Sequence, residues 1–335
     1  MTNERAGAEV VIPLRTADVS RETELDADQT PIGVAAATAA RLLGGRREPW
    51  PRPDHTRVLT VANQKGGVGK TTSTVNVAAA LALHGLSVLV IDLDPQGNAS
   101  TALAVSHQAG TPSIYEVLVE GVAVADVVAP VDGLPGLTAV PATIDLAGAE
   151  IELVSLVARE SRLQRALDAY LKQRQESGDQ VDFVLIDCPP SLGLLTVNAF
   201  VAAQEVFIPI QCEYYALEGL GQLIRNVELV QAHLNPALHV STILLTMHDA
   251  RTRLAAQVAD EVREHFGKIV LATAIPRSVR VSEAPSYSQT VLTYDPGSSG
   301  ALSYVEAARE LAHRSGGEGG PSPAGDRSSE QEGQQ

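Results

Sequence analysis

At 335 residues and 44% hydrophobic content, the chain is long enough for one large α/β domain or two small ones with a substantial core. Its formal net charge of −15 excludes a uniformly cationic surface, so any binding to polyanions has to rest on a local patch. No run approaches the roughly 20 apolar residues of a membrane span, and Glu4 and Glu9 stand where a secretory signal would be basic and then apolar.

Residues 1 to 30 hold seven acidic and three basic residues with few large apolar ones, a composition that does not offset ordering entropy. Thr30-Pro31 then favours a helix start, and Ile32, Ala36, Ala39 and Leu43 fall near helical spacing before Gly44-Gly45. Arg41, Arg46, Arg47, Arg52 and Arg57 make a basic stretch around Trp50, which reads first as a solvated linker and otherwise as a contact for DNA or a partner. Residues 1–55 are thus expected to form a disordered or partly helical extension, residues 56–312 a folded domain, and residues 313–335, rich in Gly, Ser, Glu and Gln, a disordered tail.

Within the domain, Arg57 to Asn63 reads as a buried strand and Ser73 to His84 as an Ala-rich helix ended by Gly85. Further strands are expected at Ser87 to Leu93, Phe183 to Asp187, Val206 to Ile210, Val240 to Thr246 and Ile269 to Ile275. The clearest helical patterns are Gln164 to Leu171, Leu192 to Ala203, Glu218 to His233 and Thr252 to Phe266. This alternation predicts a doubly wound, mostly parallel α/β sheet, whose ligand sites gather beyond the carboxyl ends of its strands. Cys188 and Cys212 are too far apart for a C-x-x-C pattern and lie in apolar runs, which suits free buried thiols in a reducing cytosol.

Between the first strand and helix lies Lys65-Gly66-Gly67-Val68-Gly69-Lys70-Thr71-Thr72. Its glycines let successive backbone N–H groups turn toward phosphate oxygens with no side chain in the way. Lys70 would neutralise β- and γ-phosphate charge, Thr71 would complete a Mg²⁺ shell, and Thr72 would add a hydroxyl at the positive end of the helix. After the second strand comes Asp92-Leu93-Asp94-Pro95, where a strand-end carboxylate can polarise a water or hold hydrated Mg²⁺. The turn-forming proline makes Asp94 the better placed. The apolar run Leu185-Ile186-Asp187 has Walker B form, in which Asp187 orders water on Mg²⁺.

The usual phosphate-loop pattern requires glycine where this chain has Gln64, and the run instead matches the deviant Walker A form K-G-G-x-G-K-[ST]. The chain here resembles the ParA/MinD group of P-loop ATPases. The segments Asp92 to Ser100 and Asp187 to Ala199 look like the two switches of ParA-type chromosome partitioning ATPases. Gln211 to Leu220 and Ile275 to Pro285 extend a resemblance that covers roughly residues 57 to 312.

The resemblance implies that ATP with Mg²⁺ joins two subunits, that the homodimer binds DNA without sequence preference, and that a ParB-like partner stimulates hydrolysis and release. It implies catalytic roles for Lys65, Lys70 and Asp94, with Lys65 reaching the partner subunit's nucleotide. ATP would contact Lys65, Gly66, Gly67, Val68, Gly69, Lys70, Thr71 and Thr72, with Pro276 and Arg277 near the base. Thr71, Asp94 and Asp187 would serve Mg²⁺. Residues 251 to 280 carry six basic and three acidic residues. By pattern alone they read as a solvated helix face, but Arg251 and Arg280 match the family's DNA-contacting positions. The implied location is the cytoplasm, on the nucleoid and not on a membrane. A MinD-like membrane ATPase would need a basic amphipathic C-terminal helix, and Ser315 to Gln335 offers Gly, Pro and acids instead. An ATPase that positions another cargo, such as a plasmid or a protein cluster, remains an alternative with the same switch.

Overall fold

The computed structural model describes residues 49–213 and 216–314. Most of the N-terminal extension, including the helix expected over Thr30 to Leu43 and Arg41, Arg46 and Arg47, lies outside the described residues, as do Tyr214, Tyr215 and the tail from Ser315.

The strands are short runs of Val, Leu and Ile buried on both faces, which is what a parallel sheet covered by helices requires. β1 (Arg57–Val61), β2 (Val88–Asp92) and β5 (Phe183–Asp187) are buried at every residue. With β3 (Ala129–Pro130), β4 (Leu137–Val140), β6 (Glu205–Gln211), β7 (His239–His248) and β8 (Val270–Pro276) they form one eight-stranded sheet in the order β3-β4-β2-β5-β1-β6-β7-β8. Every pairing is parallel except that of β3 with β4. The register sets Asp187 level with Val61 on one side and Asp92 on the other. The carboxyl ends of β1, β2 and β5 therefore open at one height, and two of them end in aspartate.

Period-two alternation splits the core between the faces of the sheet. Leu59, Val61, Val90 and Leu185 face α1 (Lys70–Leu83) and the last helix, Ser299–His313, whose Tyr304, Ala308 and Leu311 complete that cluster. Val58, Ile91, Val184 and Ile208 face the other layer. In chain order the remaining helices are α2 (Asn98–Ala102), α3 (Val124–Val127), α4 (Leu146–Leu153), α5 (Arg162–Glu176), α6 (Leu194–Ala202), α7 (Ala216–His233), α8 (Arg253–Phe266), α9 (Val279–Glu283) and α10 (Val291–Tyr294), which makes the last helix α11. Thr252 starts α8 by accepting a hydrogen bond from the Ala255 N–H at 3.3 Å.

The structure departs from the expected linker at its C-terminal end. Trp50 stacks on His84 with ring centroids 3.9 Å apart, and Arg52 donates to the Gly85 carbonyl. Arg57 is not solvated but buried, with a two-pronged contact to Glu205 at 2.8 Å and donations to the carbonyls of Leu311 and Arg314. A buried guanidinium is tolerable because every prong meets an acceptor, and this one ties β1, β6 and α11 together. Trp50 and Arg52 thus pack against the turn that follows α1.

Candidate active site

The phosphate loop leaves the end of β1 and enters α1 at Lys70. Gly69 caps the helix with φ +89° and Gly67 has φ +75°, left-handed values that favour glycine. At Gly69 an added Cβ would sit 3.7 Å from Thr246, so the backbone and not crowding demands glycine there. The Thr246 hydroxyl holds the loop from below by donating to the carbonyl of Val68 at 2.8 Å, and Val68 itself is buried. Asn63 braces its start, donating to the Pro209 carbonyl and accepting from the Lys65 N–H.

A cleft of about 370 Å³ opens over this loop. Gly66, Gly67, Gly69, Lys70, Thr71 and Thr72 form its floor, Asp94, Asn98 and Thr101 one wall, and Pro190, Met247 and Pro285 the rim. A larger hollow of about 580 Å³ surrounds Arg57, Glu205 and Arg314, but Arg57 and Glu205 already satisfy each other there. Met247 holds a left-handed φ of +50° at the cleft, a feature that no local pattern in the sequence signals.

Three carboxylates meet below and beside Lys70, each in a different state. Asp92 is saturated: Ser100 donates to its Oδ2 through N–H and hydroxyl at 2.9 and 2.7 Å, and the Asp94 N–H donates to Oδ1. It is a brace for the loop that carries Asp94. Asp94 accepts from the Gln96 N–H at 3.0 Å and lines the cleft. Asp187 is completely buried, with Thr74 donating to Oδ1 at 3.0 Å and no hydrogen-bond partner in bonding geometry for Oδ2. A buried acceptor without a partner is costly unless a cation or water completes it. The Asp187 oxygen, with Thr71 beside it, therefore fits a hydrated Mg²⁺. Among the described residues no group of three or more His, Cys, Asp or Glu side chains could hold a metal ion, so such an ion would draw the rest of its shell from phosphate and water.

Burial dominates the electrostatics. It lowers the Lys70 pKa from the ordinary lysine value, against the opposing pull of Asp187 and Asp94. It raises Asp92 to about 6 and, joined by the Asp92 charge, raises Asp187 to about 8, while the hydrogen bonds from Ser100 to Asp92 and from Thr74 to Asp187, with the Thr71 hydroxyl nearby, oppose the rise. Folded values above the ordinary 3.8 mean that both groups favour the folded state when protonated. That contribution is complete below the ordinary value and is lost as pH rises through about 6 and about 8. The nucleotide-free protein is expected to melt at a lower temperature near about pH 9 than near about pH 5.5, and Asp187→Asn to flatten the upper part of that fall. Thermal scans of both proteins across pH check this, and an unchanged slope in the variant contradicts it.

Other expected site residues lie outside the cleft. Lys65 turns away from it and pairs with Glu213 at 2.6 Å, both side chains about half exposed. Pro276 ends β8 and Arg277 donates its N–H to the His248 carbonyl, and neither lines the cleft. Arg251 and Arg280 follow the paired residues His248 and Pro276 by three and four positions, so both leave the same end of adjacent strands. Arg251 is exposed, and Arg280 contacts Glu283 and Asp295, each at 3.3 Å. Sequence reasoning missed the roles of Thr74, Ser100 and Glu213. A threonine one helical turn after Lys70 was the available signal for the first.

A phosphate loop on a switch-point strand, with aspartates ending β5 beside it and β2 one strand further on, defines a P-loop nucleotide-binding α/β domain. The family model described as an AAA domain matches residues 56–240. The sporulation initiation inhibitor protein Soj of Bacillus subtilis is 50% identical over 256 residues, covering 76% of this chain and 98% of that protein. The chromosome partitioning protein ParA of Caulobacter vibrioides is 49% identical over 258 residues, covering 77% and 94%. A crystal structure of cobyrinic acid a,c-diamide synthase from Mycobacterium smegmatis, with bound ATP analog and magnesium, superposes with a TM-score of 0.64 at 41% identity, covering 76% and 94%. The chain belongs to the ParA/Soj family of chromosome partitioning ATPases. No helix among the described residues is long and apolar enough to cross a membrane.

Proposed function

We propose that this chain is an ATP-gated DNA-partition switch. Mg-ATP joins two copies, the dimer holds DNA without sequence preference, and a ParB-like partner stimulates hydrolysis and so releases the DNA. The observation that carries the dimer is Lys65, which lies beside the cleft yet pairs with Glu213 outside it. A cation so placed is free to exchange its exposed pairing for a phosphate on a second copy, because exposed pairs contribute little. The solved relative with bound ATP analog and magnesium supports ATP and Mg²⁺ as ligands. Its diamide synthase activity is not carried over, since the more similar Soj and ParA proteins are named for sporulation and partition.

In this reading Lys70 and the loop amides hold the phosphates, Thr71 and Asp187 hold Mg²⁺, and Asp94 orients the attacking water. Bound Mg²⁺ would neutralise charge on the β- and γ-phosphates. Pro276 and Arg277, outside the cleft lining, would stand near the base as the family resemblance implies. Arg251 and Arg280 give each subunit a small cationic contact with DNA, and dimerisation makes the second contact intramolecular, so that weak patches add.

DNA binding compared with ATP, ADP and no nucleotide tests the reading, with anionic liposomes in parallel. Binding to DNA only with ATP is expected, whereas nucleotide-independent DNA binding, or ATP-dependent binding to liposomes alone, overturns it. Arg280→Glu is expected to weaken DNA binding by about tenfold or more at moderate salt while leaving ATP-dependent dimers intact. Unchanged DNA affinity in that variant would move the patch elsewhere.

A further inference from the structure

The outward side of α4 is apolar where a surface helix is ordinarily polar. Leu146, Ala149 and Leu153 are buried beneath it, yet Ile151 is 80% exposed, and Ile144, Val154 and Val157 on either side of the helix are 62%, 59% and 88% exposed. Ile144, Ala147, Ile151 and Val154 recur at helical spacing and make a second apolar stripe opposite the buried one. Leu192, also exposed, adjoins it, because its neighbour Gly193 lies against the Glu150 carboxylate. A contiguous exposed apolar patch of this kind marks an interaction surface.

Charge identifies the cover. Glu120, Asp145 and Glu152 gather around the hydroxyl of Tyr115, which donates to Glu152 at 3.0 Å. None of these three carboxylates has an ion-pair partner among the described residues. Arg159 pairs with Glu160, and Arg162 donates to the carbonyls of Leu118 and Val119. An aliphatic stripe rimmed by unpaired carboxylates is complementary to a segment that interleaves aliphatic side chains with lysine or arginine.

The patch is continuous with both loops of the cleft. On one side the Ala142 N–H donates to the Ser100 hydroxyl at 3.1 Å, and that hydroxyl braces Asp92. On the other, Leu192 and Gly193 follow Pro190 on the cleft rim, and the Glu150 carboxylate of α4 lies directly against Gly193, so loop and helix are in contact. We infer that the stimulating partner docks on the face formed by Ile144, Ile151, Val154, Val157 and Leu192 through a cationic, aliphatic segment, and acts from there on the loop that carries Pro190. This rests on the partition reading above.

The test is ATP hydrolysis by the full chain, with DNA, against increasing amounts of the ParB-like protein of the same organism. Wild type is compared with Ile151→Glu/Val157→Glu and with Glu120→Lys, all three positions being solvent-exposed and outside the cleft. Basal hydrolysis and ATP-dependent dimerisation are expected to stay unchanged in both variants. The partner concentration for half-maximal stimulation should rise about tenfold or more in the apolar variant, and Glu120→Lys should lower affinity and its sensitivity to salt. Equal stimulation of wild type and both variants overturns the docking face alone. Loss of ATP-dependent dimers in the apolar variant assigns the face to a second copy and likewise overturns it. A wild type that never responds to the partner brings down the partition reading, and this inference with it.

Discussion

Lys70→Ala is expected to abolish measurable nucleotide binding, with an affinity loss of about a hundredfold or more. The size of the effect follows from what surrounds the ammonium group. Lys70 is buried, and desolvation lowers its pKa while Asp187 and Asp94 pull the other way. Among the described residues Nζ donates only to the Lys65 carbonyl, at 3.3 Å, so most of its donor capacity is uncommitted. Removing it deletes a charge-assisted bond to phosphate and also leaves Asp94, which lines the cleft, facing an incoming polyanion unopposed. Lys70→Arg keeps the charge but has to fit a planar fork into a space shaped for a point charge, so it should restore little. Titration with a fluorescent ATP analogue reads the result directly, and wild-type affinity in Lys70→Ala would sink the loop assignment.

Much of this site was legible because its chemistry is local. The glycines, Lys70 and Thr71 are consecutive, and Asp187 ends a strand visible as five apolar and acidic residues. Length and boundaries were less so. The helix expected over Gln164 to Leu171 runs over Arg162–Glu176, since its outer turns are polar and carry no apolar period. β4 is four residues, Leu-Thr-Ala-Val, too short to stand out from a loop, and β3 is two. α11 was hidden because half of its buried face is alanine, which barely contrasts with its neighbours. The brace of Asp92 by Ser100 and the pairing of Lys65 with Glu213, 148 residues away, are tertiary facts that spacing does not encode. Arg57 shows the same limit in reverse: a residue assigned to a solvated basic stretch is buried because Glu205 and two carbonyls converge on it.

Asp94→Ala should slow ATP hydrolysis by about 10²–10⁴-fold while ATP-dependent dimers persist. The three carboxylates around Lys70 are not interchangeable. Asp92 has its oxygens occupied by Ser100 and the Asp94 N–H, and Asp187 lies beneath the floor with no exposure. Asp94 alone of the three lines the cleft, with Oδ1 fixed by the Gln96 N–H and Oδ2 taking no hydrogen bond from the described residues. A carboxylate held at one oxygen and free at the other is suited to orient a water against the terminal phosphate. Its loss costs the fold little, because the Gln96 N–H it releases is partly exposed and can turn to solvent. Nucleotide binding stays with Lys70 and the loop amides, so the variant should accumulate as an ATP-bound dimer that holds DNA and does not let go. Phosphate release and sedimentation with ATP measure the two halves of this expectation. Undiminished turnover, or monomers only in the presence of ATP, would give the catalytic role to another group.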